Sequence, residues 1–213
     1  MRSINQISKM SGLKYLALVL ALCAPAGKAA TVNPDFTVLT EVPVIQEVTE
    51  EAGGAAAIQS VLAYFGKEVL DQEDVMEAVG TDSQGTAIED MVAFANMNGV
   101  PATQKSRVTI SELQDQVRLG NPVLVELMAW SEDETSDSTY SDDWEDGRYA
   151  VVVGVDNTNV YLMDPSLAGR RGFIPLREFQ ERWHNLSSSG QREYQTALFF
   201  KGTAKRNPWE RIF

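Results

Sequence analysis

Two rhythms of apolar residues divide the chain. Behind Gly53-Gly54, the positions Ala57, Ile58, Val61, Leu62 and Phe65 recur at helical spacing within the Ala-rich stretch Ala55–Phe65, and Gly66 supplies the stop. A second helix is predicted over Gln72–Val79, with Asp71 as its cap. Thr86-Ala-Ile-Glu89 has the form of a capping box and opens a helix that ends at Asn98-Gly99. Ser111-Glu-Leu-Gln114 repeats the device for a helix running to Gly120. After that the period shortens. Val123–Ala129, Tyr149–Val155, Val160–Met163 and Gln195–Phe200 are short, apolar runs between turn residues and predict strands, with one more helix near Leu176–Trp183. Residues 31–45 alternate loosely and predict an extended lead-in with a short strand. Helices first and strands later indicate an α+β domain, its N-terminal helices packed on an antiparallel sheet.

The first thirty residues follow neither rhythm. They carry Arg2, Lys9, Lys14 and Lys28, no acid, and a ten-residue apolar run from Tyr15 to Ala24 followed by small residues. The run is about half of what a bilayer span needs, so it predicts a secretory signal peptide over residues 1–30, cleaved near Ala29. A secreted or periplasmic location follows. Residues 31–202 then form the domain and 203–213 a C-terminal tail. Bulky Leu22 before Cys23 fits a lipoprotein signal poorly.

Charge and cysteine content narrow the chemistry. The full chain of 213 residues carries a formal charge of -12; four of its 18 basic residues and none of its 30 acids lie in the first thirty, which leaves -16 on the remainder. So acidic a surface argues against a nucleic-acid partner. The one Cys, Cys23, leaves with the signal, so the exported chain has neither a disulfide nor a thiol nucleophile. With one His, no cofactor motif and no usual zinc spacing, neither metal nor cofactor is expected.

Val42-Pro-Val-Ile-Gln46, six residues, then Gly53-Gly54-Ala55-Ala56-Ala57 and Tyr64-Phe65-Gly66 resemble the active-site helix of the bacteriocin-processing, double-glycine cysteine peptidases. These form family 39 of the cysteine peptidases, in the papain-like clan. The likeness continues through Gly80-Thr81, Gly85-Thr86, Gly120-Asn-Pro-Val-Leu-Val, Asp146-Gly147-Arg148-Tyr149, Met163-Asp164-Pro165-Ser166 and Glu178-Phe179-Gln-Glu-Arg-Trp183, and spans about residues 42 to 200. It implies a papain-like peptidase fold. It also implies that position 46 helps form the oxyanion hole, position 53 holds the nucleophilic Cys, position 148 the His base and position 164 the Asp that orients the His. A thiolate at a helix N-terminus beside an imidazolium is the chemistry such a site needs.

Two of those four positions depart from it. Gly53 has no side chain, and the Arg148 guanidinium stays protonated at any working pH. Gln46 and Asp164 remain, although each also reads as a plain surface or turn residue. The resemblance therefore implies a free-standing, catalytically degenerate member that binds peptide or unfolded polypeptide in the former substrate cleft. Arg148 is expected to satisfy Asp164 in place of the lost His. Two other readings stay open: a hydrolase using residues outside the family's set, and an interaction protein acting through the acidic run 132–146, whose eight acids fit no EF-hand spacing. His184, next to Trp183, is expected to complement a helix C-terminus. Asn185-Leu-Ser187 matches a glycosylation sequon.

Overall fold

The computed structural model describes residues 36–68, 70–128, 140–144, 146–187 and 189–204. The helical part comes first: α1 (Gly53–Tyr64), α2 (Gln72–Ala78), α3 (Ile88–Met97), a short strand β1 (Ala102–Lys105), and α4 (Ile110–Arg118). Strands β2 (Val123–Met128), β3 (Gly147–Val155), β4 (Asn159–Met163) and β5 (Arg171–Pro175) follow. Then come α5 (Leu176–Arg182), the hairpin β6 (His184–Leu186) and β7 (Arg192–Tyr194), and β8 (Ala197–Phe200). Six strands form one antiparallel sheet in the order β1-β8-β2-β3-β4-β5, and β6 pairs only with β7. The α+β expectation, helices on an antiparallel sheet, holds. No helix among the described residues is long and apolar enough to cross a membrane.

α1 is the hub. Every residue from Gly53 to Leu62 is buried, so the helix has no solvent face, which is why small residues replace an amphipathic stripe at its start. A Cβ on Gly54 would stand 2.8 Å from the Thr86 Cβ and 3.0 Å from the Tyr149 ring. Glycine there lets the helix backbone lie directly on β3 and on the loop before α3. The lead-in docks where β3 bulges: Val38 bridges Gly154, and the Leu39 amide donates to the Val153 carbonyl at 2.7 Å. Around α1 the core gathers Ile58, Val61, Met91, Phe94, Leu124 and the run Val151–Val153.

Several local expectations shift. The Thr86 box does not form: Ala87 is the N-cap of α3, without a side-chain bond, and the Thr86 hydroxyl meets that of Thr81 at 2.8 Å. Nor does Ser111 cap α4. The box sits two residues earlier, where the Thr109 hydroxyl accepts from the Glu112 amide and the Glu112 carboxylate accepts from the Thr109 amide at 2.8 Å. Asp71 caps α2 in position but makes no side-chain bond. Four strands escaped the sequence pattern: β1 and β5 lie at the sheet's edges with half-polar sequences, and β6 and β7 are three residues each. His184 does not end a helix. It opens β6, buried, with Nε2 2.7 Å from the Asp143 carbonyl and its ring tilted against Trp144.

The proposed signal peptide lies outside the described residues, as does the tail beyond Ala204. Of the acidic run 132–146, residues 140–144 and 146 alone are described.

Candidate functional site

Three elements meet at the N-terminus of α1. A single 3-10 turn, Glu50–Ala52, leads into Gly53, and the N-cap Ala52 offers no side chain to the first helical amides. Helix starts attract negative charge through those unpaired N–H groups. The Glu47 carboxylate supplies it: a Cβ on Gly53 would lie 2.9 Å from Glu47 Oε2. Glu47 thus fills the space that a side chain at position 53 would need. Burial pushes its carboxyl above the usual range, and the charges of Asp164, Glu50 and Glu51 add to that, while Arg148 offsets part of it.

Arg148 enters from the start of β3. It donates to Glu50 Oε1 at 2.7 Å and to Glu47 Oε1 at 3.5 Å. The expected pairing with Asp164 does not form, for a local reason. Asp164, buried just after β4, has its Oδ1 bonded by the Ser166 amide at 2.9 Å and the Ser166 hydroxyl at 2.8 Å. Its turn serves it, and Glu47 lies nearer the guanidinium. Glu50 is 77% exposed, so its ion pair with Arg148 is worth a fraction of a kcal/mol.

These residues line a cleft of about 290 Å³ with Gly54, Thr86, Glu126, Asp146 and Tyr149. A wider cleft of about 790 Å³ shares Thr86, Glu126, Gly147 and Tyr149, and runs on past Glu89, Trp144 and Asn185. Glu126 sits where the two join. It faces Tyr149 across the β2–β3 pair. Burial, reinforced by the Glu193 charge, raises its carboxyl to about 8. Tyr149, itself pushed well up by burial, spends its one hydroxyl proton on the Thr86 carbonyl at 2.8 Å.

Of the four positions singled out from sequence, Gly53, Arg148 and Asp164 share the first cleft. Gln46 does not. It is exposed, its backbone carbonyl accepts from Gln72 Nε2 at 3.0 Å, and its neighbour Glu47 takes the cleft position instead. Sequence reasoning passed over Glu47 and Glu126, and read Asn185, which is buried, only as the start of a glycosylation sequon. The signal for Glu126 was an acid set inside the apolar run Val123-Leu-Val-Glu-Leu-Met128. No grouping of three or more His, Cys, Asp or Glu among the described residues is arranged to hold a metal ion.

The family described as Peptidase C39 like matches residues 39–191. The chain belongs to that family. Solved structures similar to this C39-like chain agree on the fold. A C39-like peptidase from Bacillus anthracis is 17% identical with TM-score 0.60, covering 80% of this chain and 99% of the other. The peptidase domain of Streptococcus ComA, a bifunctional ABC transporter of a quorum-sensing pathway, is 19% identical with TM-score 0.56 and coverages of 76% and 99%. A double-glycine-motif protease from an AMS/PCAT transporter, solved with its leader peptide, is 22% identical with TM-score 0.52 and coverages of 76% and 92%. No curated protein matches the chain.

Proposed function

We propose that this C39-like chain is an exported pseudo-peptidase that holds peptide or unfolded polypeptide in the cleft beside Gly53 without cutting it. One observation carries the reading: the space for a side chain at position 53 is taken by the Glu47 carboxylate. Acyl transfer by this fold needs a nucleophile and a base within hydrogen-bond reach. Here a glycine and a guanidinium occupy the two corresponding positions, and the chain's one imidazole, His184, is committed to Asp143 and Trp144. Binding needs none of those groups. The clefts on either side of Glu126 remain open and largely acidic, and a leader peptide was solved bound to the transporter-derived protease. Export rests on the charged, short apolar stretch of residues 1–30.

The test uses the purified chain lacking residues 1–30 with fluorescein-labelled extended peptides, double-glycine leaders among them. Anisotropy reports binding, and mass spectrometry of the same samples reports cleavage. Saturable micromolar binding with intact peptide is expected. Cleavage that Glu47→Gln abolishes would replace this reading with a hydrolase that uses a carboxylate. A folded protein that binds no peptide of any sequence would end the binding reading.

A further inference from the structure

Where the two clefts join, one buried hydrogen-bond acceptor stands without a donor, beside a buried carboxyl that has no cation among the described residues. Asn185, on β6, is 2% exposed, and its Oδ1 is the buried side-chain polar atom that lacks a partner among the described residues. Its side-chain amide reaches the Glu126 carboxyl, and both residues wall the wider cleft. Glu126 forms no ion pair with any described Lys, Arg or His. Arg148 pairs with Leu127, the residue next to Glu126, but its guanidinium is engaged by Glu47 and Glu50. The groups that face Glu126 are Tyr149 from β3, Asn185 from β6, Glu193 from β7 and Glu89 from α3. All are neutral or acidic side chains, and the Tyr149 proton is already given to Thr86.

A buried acceptor left empty costs about 1–3 kcal/mol, so such a group calls for an explanation. We infer that this junction is a subsite for a primary ammonium, taken from a lysine side chain or a free amino terminus of the bound polypeptide. A primary ammonium brings three N–H donors and one positive charge, enough to serve Glu126 and the Asn185 oxygen together. The inference rests on the cleft being a polypeptide site, and it adds which polypeptides fit: those presenting an amine beside the former catalytic position.

The subsite has a signature that general acidity lacks. An empty Glu126 holds its proton at pH 7, so seating a cation beside it expels that proton. Calorimetry on the native protein at pH 7, in buffers of differing ionisation enthalpy, should show about one proton released per ligand. The ligands are an N-acetylated pentapeptide with central lysine, its norleucine counterpart, the norleucine peptide with a free amino terminus, and n-butylammonium alone. The lysine peptide should bind about tenfold or more tighter than the acetylated norleucine peptide. Its affinity should rise between pH 6 and pH 8, and Glu126→Gln should erase the preference. If the amino terminus is the source, the free norleucine peptide shows the gain and the acetylated lysine peptide does not. Equal binding of charged and uncharged peptides, or a preference with no proton released, overturns the subsite and leaves peptide binding standing. If no peptide binds, n-butylammonium decides: binding with proton release keeps the subsite without the peptide reading, and no binding removes both.

Discussion

Replacing Glu126 by Gln should make the fold markedly less sensitive to alkali. In the folded protein the Glu126 carboxyl titrates at about 8, against an ordinary value of 4.5. Between those two values the folded state holds a proton that the unfolded chain has released. The stability tied to that proton is therefore whole below pH 4.5 and drains away as pH rises toward 8. At about 1.4 kcal/mol per pH unit the full interval has a ceiling of about 5 kcal/mol. Glu126 keeps some access to water through both clefts, so roughly half of that, about 2–3 kcal/mol, is the expected effect. Glutamine matches the shape of the protonated acid and cannot ionise, so the variant should lose none of it. Urea unfolding followed by tryptophan fluorescence at pH 5 and pH 8 measures this. The stability difference, variant minus wild type, should grow by about 2 kcal/mol between the two, since pH 5 already lies above the ordinary value of 4.5. Other carboxylates drift with pH too, but they are common to both proteins and cancel. A difference that stays constant within about 0.5 kcal/mol would show that Glu126 is ionised throughout and that the reasoning on its burial is wrong.

Three further outcomes are expected. In the double variant Gly53→Cys with Arg148→His, the new thiol should alkylate faster near neutral pH than in Gly53→Cys alone, because imidazolium and helix dipole favour the thiolate; equal rates would separate positions 53 and 148. Adding Glu47→Ala should raise the rate again, about tenfold, since the carboxylate crowds the new Cβ and opposes a thiolate by like charge; an unchanged rate would place Glu47 elsewhere. Thr109→Ala should cost about 1 kcal/mol in thermal or urea unfolding through loss of the α4 cap, whereas Ser111→Ala should cost little, and the reverse order would contradict the observed box.

The sequence carried the long-range plan better than the local chemistry. Hydrophobic period separated helices from strands because α1, α3, β2 and β3 each bury enough of themselves to impose it. It failed at β1 and β5, where one edge meets water and polar residues are tolerated, and at the two capping boxes, because the motif recurs every few residues in a chain rich in Thr, Ser and Glu. The family's positions were legible as spacing, and Gly53, Arg148 and Asp164 do share a cleft. What fills that cleft was not. Glu47 reaches the helix start through the turn of the lead-in, and the Ser166 bonds that draw Asp164 away from Arg148 depend on a backbone turn. Glu126 and Asn185 lie 59 positions apart in number, and only the fold brings β6 beside β2.

The place of β8 in the sheet sets a schedule for assembly. β1 has β8 as its one partner, and Ala102 pairs with Phe200, so the edge laid down early in synthesis waits for residues made near the end. Pairings between such distant segments form slowly, because the intervening loop must be closed before any bond rewards it. A polypeptide delivered amino end first, from a ribosome or through a pore, cannot complete its sheet until Ala197–Phe200 have arrived. Until then β2 also lacks its second neighbour. Termination anywhere before β8 leaves β1 without a partner and one edge of β2 open. Chain order thus makes closure of this sheet one of the last steps in which its first strand takes part.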